Sequence, residues 1–127
     1  GKSNEQVQIL IYLGRSYAND GDYDKAMSIY TNALEIGEKN KLYNLVGYTY
    51  SYIGDLYREK AMRTEAIKKY EMAADNFKKE NNTDSYACAL RDMGREYACT
   101  DSISRALEIL LMADSITETL LQQTPRT

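Results

Sequence analysis

The chain repeats itself every 40 residues, and this recurrence constrains its fold more than any other feature. YLGRSYANDGDYDKA at 12–26, YIGDLYREKAMRTEA at 52–66 and DMGREYACTDSISRA at 92–106 share one skeleton. Gly14, Gly54 and Gly94 stand 40 residues apart, and so do Tyr17, Tyr57 and Tyr97. Ala26, Ala66 and Ala106 keep the step, as do Ala33, Ala73 and Ala113. An apolar residue precedes each glycine (Leu13, Ile53, Met93), and Tyr30, Tyr70 and Leu110 form a further column. A fixed period of this length means one supersecondary unit stacked on copies of itself, because a single unit cannot bury its apolar face alone.

Composition decides what the unit is made of. One proline and seven glycines in 127 residues are too few breakers for the turns of a sheet. No stretch alternates apolar and polar residues for long, and Ala, Leu, Glu, Lys and Met dominate, so the chain reads as all-α. The first helix of each unit is expected at about 4–19, 42–60 and 85–99, the second at about 23–38, 63–80 and 102–121. Ser3 with Gln6 reads as a capping box, Asp22 as the cap of the second helix, and Thr83 or Asp84 as that of the fifth. Asn19-Asp20-Gly21 and Asn81-Asn82 supply turn chemistry.

The columns have a packing reason. Glycine inside a helix costs about 1 kcal/mol relative to alanine, so a column of glycines calls for a compensating contact. That contact is expected to be close approach of the partner helix at the small Ala26, Ala66 and Ala106, with Tyr17, Tyr57 and Tyr97 filling the space beside it. Tyr30 and Tyr70 are expected to wedge against the following unit, making the core continuous along the stack.

Leu10-x2-Leu13-Gly14-x2-Tyr17, Gly21-x-Tyr23, Ala26-x3-Tyr30 and Ala33-Leu34 resemble the tetratricopeptide repeat (TPR), and the likeness covers almost the whole chain. It weakens in the third unit, where Ile103 and Leu110 replace aromatics. The resemblance implies a right-handed superhelical stack of three antiparallel helix pairs, a TPR-like α-solenoid. The chain would be one domain, 1–127, with repeats at about 4–40, 42–81 and 84–121. The period of 40 departs from the family's usual 34, and Glu38, Lys78 and Glu118 replace the proline that closes its second helix. Without that stop the helices are expected to run on, the six extra residues adding about one turn to each. Long-helix variants of this kind imply a bacterial signalling or regulatory protein.

The resemblance also implies a non-catalytic module that holds an extended peptide or a helix in the hollow lined by the first helices. Carried over position by position, the groove residues are Gln8, Ile11, Tyr12 and Arg15; Tyr48, Ser51, Tyr52, Asp55 and Arg58; and Cys88, Arg91, Asp92 and Arg95. The family's carboxylate clamp needs a lysine and an asparagine one turn apart, where Ile11 and Arg15 stand, so that specificity is not implied. Arg15, Asp55 and Arg95 share one register on neighbouring helices about 10 Å apart. They read either as a +/−/+ ladder worth less than about 1 kcal/mol per pair, or as part of an acidic-ligand site. In that second reading the like charges Arg91 and Arg95, one turn apart, await an anionic group.

Other chemistries find little footing. The sequence has no histidine, which removes the commonest general base, the histidine triads and the mixed zinc sites. Asp20-Gly-Asp22-Tyr-Asp24 begins like a calcium loop, but Lys25 stands where glycine is required and Thr31 where glutamate is. There is no P-loop and no dinucleotide fingerprint. No enzyme, cofactor or metal is therefore expected. A net charge of −3 without a basic block argues against nucleic acid. No apolar run is long enough for a bilayer, so no direct membrane contact is expected. Cys88 and Cys99 would lie on one helix about 16 Å apart along its axis, well beyond the roughly 7 Å a disulfide allows. They are expected to pack as small hydrophobes. Cytoplasm and periplasm suit such a chain equally.

The ends stand out. VQILIYL at 7–13 is apolar nearly all round, and ILLM at 109–112 with Ile116, Leu120 and Leu121 gives the last helix more than one apolar face. Terminal repeats of a solenoid need polar outer faces. The chain is therefore expected to be a piece of a longer array, or to pair through its ends with another copy. The alternative to a groove-binding module is thus a structural spacer or oligomerisation segment. Gly1 reads as a cloning remnant, and Pro125-Arg126-Thr127 is expected to trail without structure.

Overall fold

A computed structural model describes residues 1–123; the tail expected at 125–127 lies outside the described residues. Six helices follow one another: α1 (Lys2–Asn19), α2 (Tyr23–Lys39), α3 (Tyr43–Glu59), α4 (Arg63–Lys79), α5 (Thr83–Cys99) and α6 (Ile103–Gln123). Each packs on the next, and α1 also touches α3. The result is an all-α solenoid, whose helix ends differ by two residues at most from those expected.

What ends the helices is a single turn used five times. A left-handed residue recurs every 20 positions: Gly21 (φ 83°), Lys41 (55°), Ala61 (58°), Asn81 (54°) and Asp101 (63°). The N–H of the next residue then reaches back to the carbonyl five positions earlier. Asp22 donates to Tyr17, Leu42 to Gly37, Met62 to Tyr57 and Asn82 to Phe77, all at 2.9 Å, and Ser102 to Tyr97 at 3.0 Å. This is the Schellman closure, which satisfies carbonyls orphaned at a helix C-terminus. The same residue serves as N-cap of the following helix at Asp22, Leu42, Met62 and Asn82. A left-handed turn therefore does the work of the missing proline, and the 40-residue period is two 20-residue helix–turn units.

Two of the expected caps are corrected. α1 begins at Lys2 behind Gly1 with no side-chain cap bond, so Ser3 and Gln6 form no capping box. Asn82, not Thr83 or Asp84, caps α5, its Oδ1 accepting from the Ser85 N–H at 3.3 Å. Asp22 caps α2 as expected, accepting from the Lys25 N–H at 3.3 Å.

The glycine column also has a different partner from the one expected. A β-carbon on Gly54 would stand 2.6 Å from the Tyr70 ring, one on Gly94 2.6 Å from the Leu110 side chain, and Tyr30 bears the same relation to Gly14. Large side chains 16 residues downstream, rather than the alanines, thus lie against the bare backbone. Ala26, Ala66 and Ala106 are buried nearby. From their seats Tyr30 packs with Ile53 and Leu56 of the next pair, and Tyr70 with Leu90 and Met93. The core is continuous between repeats, as the column of aromatics predicts, and Tyr17, Tyr57 and Tyr97 pack at its margins. Cys88 and Cys99 are free and exposed, not packed as expected; α5 turns Ala87 and Ala89 inward instead.

Candidate functional site

Between α1 and α3 lies a hollow of about 220 Å³. Gln8, Ile11, Tyr12 and Arg15 line it from α1, and Leu45, Tyr48 and Tyr52 from α3. Steps of three and four residues place each set on one helix face. Six of these residues are in the set expected from sequence. Leu45 is not, although it precedes Tyr48 by three positions and the same spacing rule reaches it. Ile11 is buried and forms part of the floor, while Tyr12 and Tyr48 present exposed rings.

The aromatic wall is held from behind. The Arg15 guanidinium carbon sits 4.9 Å from the centre of the Tyr52 ring, a cation–π distance. Tyr52 stacks in turn on Tyr30, with centroids 6.1 Å apart. Tyr48 meets Phe77 edge to face at 4.9 Å, and its hydroxyl lies 3.0 Å from Ser85 Oγ on α5. Rings fixed in this way lose little entropy on receiving a ligand.

A second hollow of about 380 Å³ shares Arg15 and Tyr52 with the first and adds Asn19, Asp55, Arg58 and Glu59. It is the ionic half of the site. Asp55 Oδ1 accepts from the Tyr70 hydroxyl at 2.6 Å and lies 3.7 Å from Arg58 Nη2. Burial, reinforced by the Asp55 carboxylate, pushes the Tyr70 phenol far above its ordinary value. Burial, with smaller contributions from Tyr52 and Asp55, raises Tyr30 to about 12 against the opposing pull of Arg15. Both phenols are therefore donors at neutral pH. On α5, burial raises the Asp92 carboxyl and nearby Asp55 adds to the effect, while Arg95 and Arg58 oppose it.

The expected charge ladder does not form among the described residues. Arg15 rests on Tyr52, Asp55 pairs with Arg58, and Arg95 donates to Asp92. A partner three residues along the same helix is nearer than one on a neighbouring helix axis about 10 Å away. Arg91 turns toward α6, donating to Thr117 Oγ1 with Asp114 Oδ1 at 3.9 Å. Arg91 and Arg95 thus each have protein partners. Ser51, Cys88, Arg91, Asp92 and Arg95 line neither hollow, so the gathered part of the expected groove belongs to the first two repeats.

Comparison with known proteins agrees with the fold. A family model described as "Tetratricopeptide repeat" matches residues 5–79. The photosystem I assembly protein Ycf3 of Acaryochloris marina is 36% identical over 77 residues, which are 59% of this chain and 46% of that protein. The chain thus matches a little under half the length of that relative. Among solved structures, the N-terminal domain of stress-induced protein-1 from C. elegans superposes with a TM-score of 0.80 at 18% identity, over 91% of this chain and 87% of that one. BtubC from P. vanneervenii gives 0.81 at 17% identity, over 95% and 50%. The 40-residue period, the solenoid of helix pairs and a family match spanning more than half the sequence lead to one conclusion: the chain belongs to the tetratricopeptide repeat family.

Proposed function

We propose that this chain is a non-catalytic module of a bacterial signalling or regulatory protein, and that it holds an extended peptide or a helix along α1 and α3. Tetratricopeptide repeats generally mediate protein–protein interaction. The observation that carries the reading is the convergence of Gln8, Ile11, Tyr12, Arg15, Tyr48 and Tyr52 on one hollow that opens into an ionic one. An apolar side chain would enter between Tyr12 and Tyr48, and charged or amide groups of the same segment would meet Arg15, Asp55 and Arg58. Preformed rings lower the ordering cost of capture. Ycf3 is, by its name, a photosystem I assembly protein, and an interaction role for this chain accords with that name.

A displayed peptide library provides the test. Peptides selected on the wild-type chain should bind Tyr12→Ala and Arg15→Glu at least tenfold more weakly, with thermal stability unchanged. Equal affinity for all three proteins would dismiss the groove.

A second reading is favoured by the ends. Ile9 and Leu13 on α1, and Ile103, Leu107 and Leu111 on α6, are large apolar residues exposed to water. These faces suit a structural role in which the repeats join copies of the chain.

A further inference from the structure

We infer that copies of this chain associate head to tail, the outer face of α6 in one copy seating against the outer face of α1 in the next. This rests on the second reading above and gives it a polarity. The support lies in register. Ile9 and Leu13 occupy the positions that Thr49 and Ile53 hold on α3, and Ala89 and Met93 on α5. Those four residues are all buried inside the stack. Leu107 occupies the position of Met27 and Ile67, of which Met27 packs with Ile53 and Leu56 of the following pair. The two ends thus present the two halves of a junction that the chain already forms twice, between α2 and α3 and between α4 and α5.

Polar positions agree with this pairing. Inside the stack one register brings Tyr23 to the cluster holding Leu56, and Arg63 to Glu96. At the ends the same register opposes Ile103 to Ser16, so no buried charge is left without a partner. Another register packs Leu34 with Val46, and Ala74 with Tyr86. At the ends it opposes Asp114 to Gln6, an acceptor to an amide donor. Asp114 also lies near Arg91 of its own chain, at 3.9 Å, which offsets its charge. A head-to-tail junction is heterologous and does not close on itself, so it lengthens the superhelix instead of stopping at a dimer.

Sedimentation equilibrium from low micromolar to millimolar concentration tests this. Wild-type mass should rise with concentration without a plateau at two copies. Leu13→Lys and Leu107→Lys alter residues 43% and 57% exposed, on α1 and α6 respectively, and each variant alone should remain monomeric. Mixed, they retain one intact α6 face and one intact α1 face, and should give a heterodimer that grows no further. Ile9→Lys and Ile103→Lys form a second blocking pair if circular dichroism shows that either first variant has not folded. A wild-type chain monomeric at every concentration overturns both the self-association reading and its polarity. Association that persists in either variant alone, or a mixture that stays monomeric, overturns the head-to-tail arrangement only.

Discussion

Arg63 on α4 reaches across 2.6 Å to Glu96 on α5, and the two partners are unequally placed: the carboxylate is 3% exposed, the guanidinium 37%. This ion pair joins the second repeat to the third. One repeat earlier the same two positions hold Tyr23 and Leu56, which belong to one apolar cluster. The protein thus solves one junction in two ways, and the charged solution depends on its arginine.

Removing the two partners should therefore have different costs. Arg63→Ala strands a buried carboxylate and is expected to be the costlier of the two changes. Glu96→Ala leaves an arginine that can turn toward water, and should cost less. The double variant Arg63→Tyr/Glu96→Leu installs the pair of the earlier repeat and should come within about 1 kcal/mol of wild type or exceed it. Urea midpoints of the variants check the order; equal losses for the two alanine variants would contradict it.

A glycine seat should tolerate alanine according to what occupies it. At Gly54 the new β-carbon meets the rigid Tyr70 ring at 2.6 Å, whereas at Gly94 it meets the branched end of Leu110 at 2.6 Å, with the Ala106 carbonyl oxygen at 3.6 Å. Leucine can change rotamer; a ring wedged between helices cannot. Gly54→Ala should cost about 1–3 kcal/mol by overpacking, while at Gly94 the better helix propensity of alanine, worth about 1 kcal/mol, offsets much of the strain. Thermal melts of the two variants give the comparison.

The repeat, the all-helical class and six residues of the aromatic hollow were legible because period and spacing report which positions share a face. The seat of Tyr30 on Gly14 was harder to read. A column shows that glycine is required, but not which of several coincident columns supplies the contact. The columns that begin at Ala26, Tyr30 and Ala33 all keep the 40-residue step, the second ending in Leu110, and only the fold distinguishes them. Turn chemistry was legible at Gly21 and Asn81, but the shared geometry of the five turns was hidden for a related reason. Their left-handed residues are Gly, Lys, Ala, Asn and Asp, so no residue type marks the 20-residue unit. Arginine directions were illegible as well, because a long side chain chooses among partners on both sides, and Arg91 takes α6.

Those turns supply a direct test. Ala61 holds φ at 58°, where a β-carbon crowds the backbone. Ala61→Gly removes that strain at an exposed position and should raise stability by up to about 1 kcal/mol. Gly21, at φ 83°, should respond in the opposite sense when changed to alanine. Both effects should appear as shifts of the urea midpoint with little change in its slope. A destabilised Ala61→Gly would mean that the Schellman closure at Met62 depends on more than backbone conformation.

Alkaline pH should unfold the stack through its buried phenols, Tyr30, Tyr70 and Tyr50, the last raised by burial and the neighbouring Glu38. Tyr30 is raised to about 12 and Tyr70 is also strongly raised, in both cases mainly by burial, whereas an unfolded tyrosine titrates near 10. Above about pH 10 the unfolded chain therefore releases protons that the folded chain keeps, and stability falls as pH rises. Each phenol contributes a slope of at most about 1.4 kcal/mol per pH unit through this window, and none well below it. Tyr30→Phe keeps the ring over Gly14 and removes one titrating group, so it should flatten the slope while leaving neutral-pH stability nearly unchanged. Tyr70→Phe should also flatten the slope, but it loses the bond to Asp55 and should cost about 1.5–3 kcal/mol at neutral pH. Urea midpoints measured between about pH 8 and about pH 11.5 check both variants. A Tyr30→Phe protein that lost stability as steeply as wild type would show that other groups drive the alkaline transition.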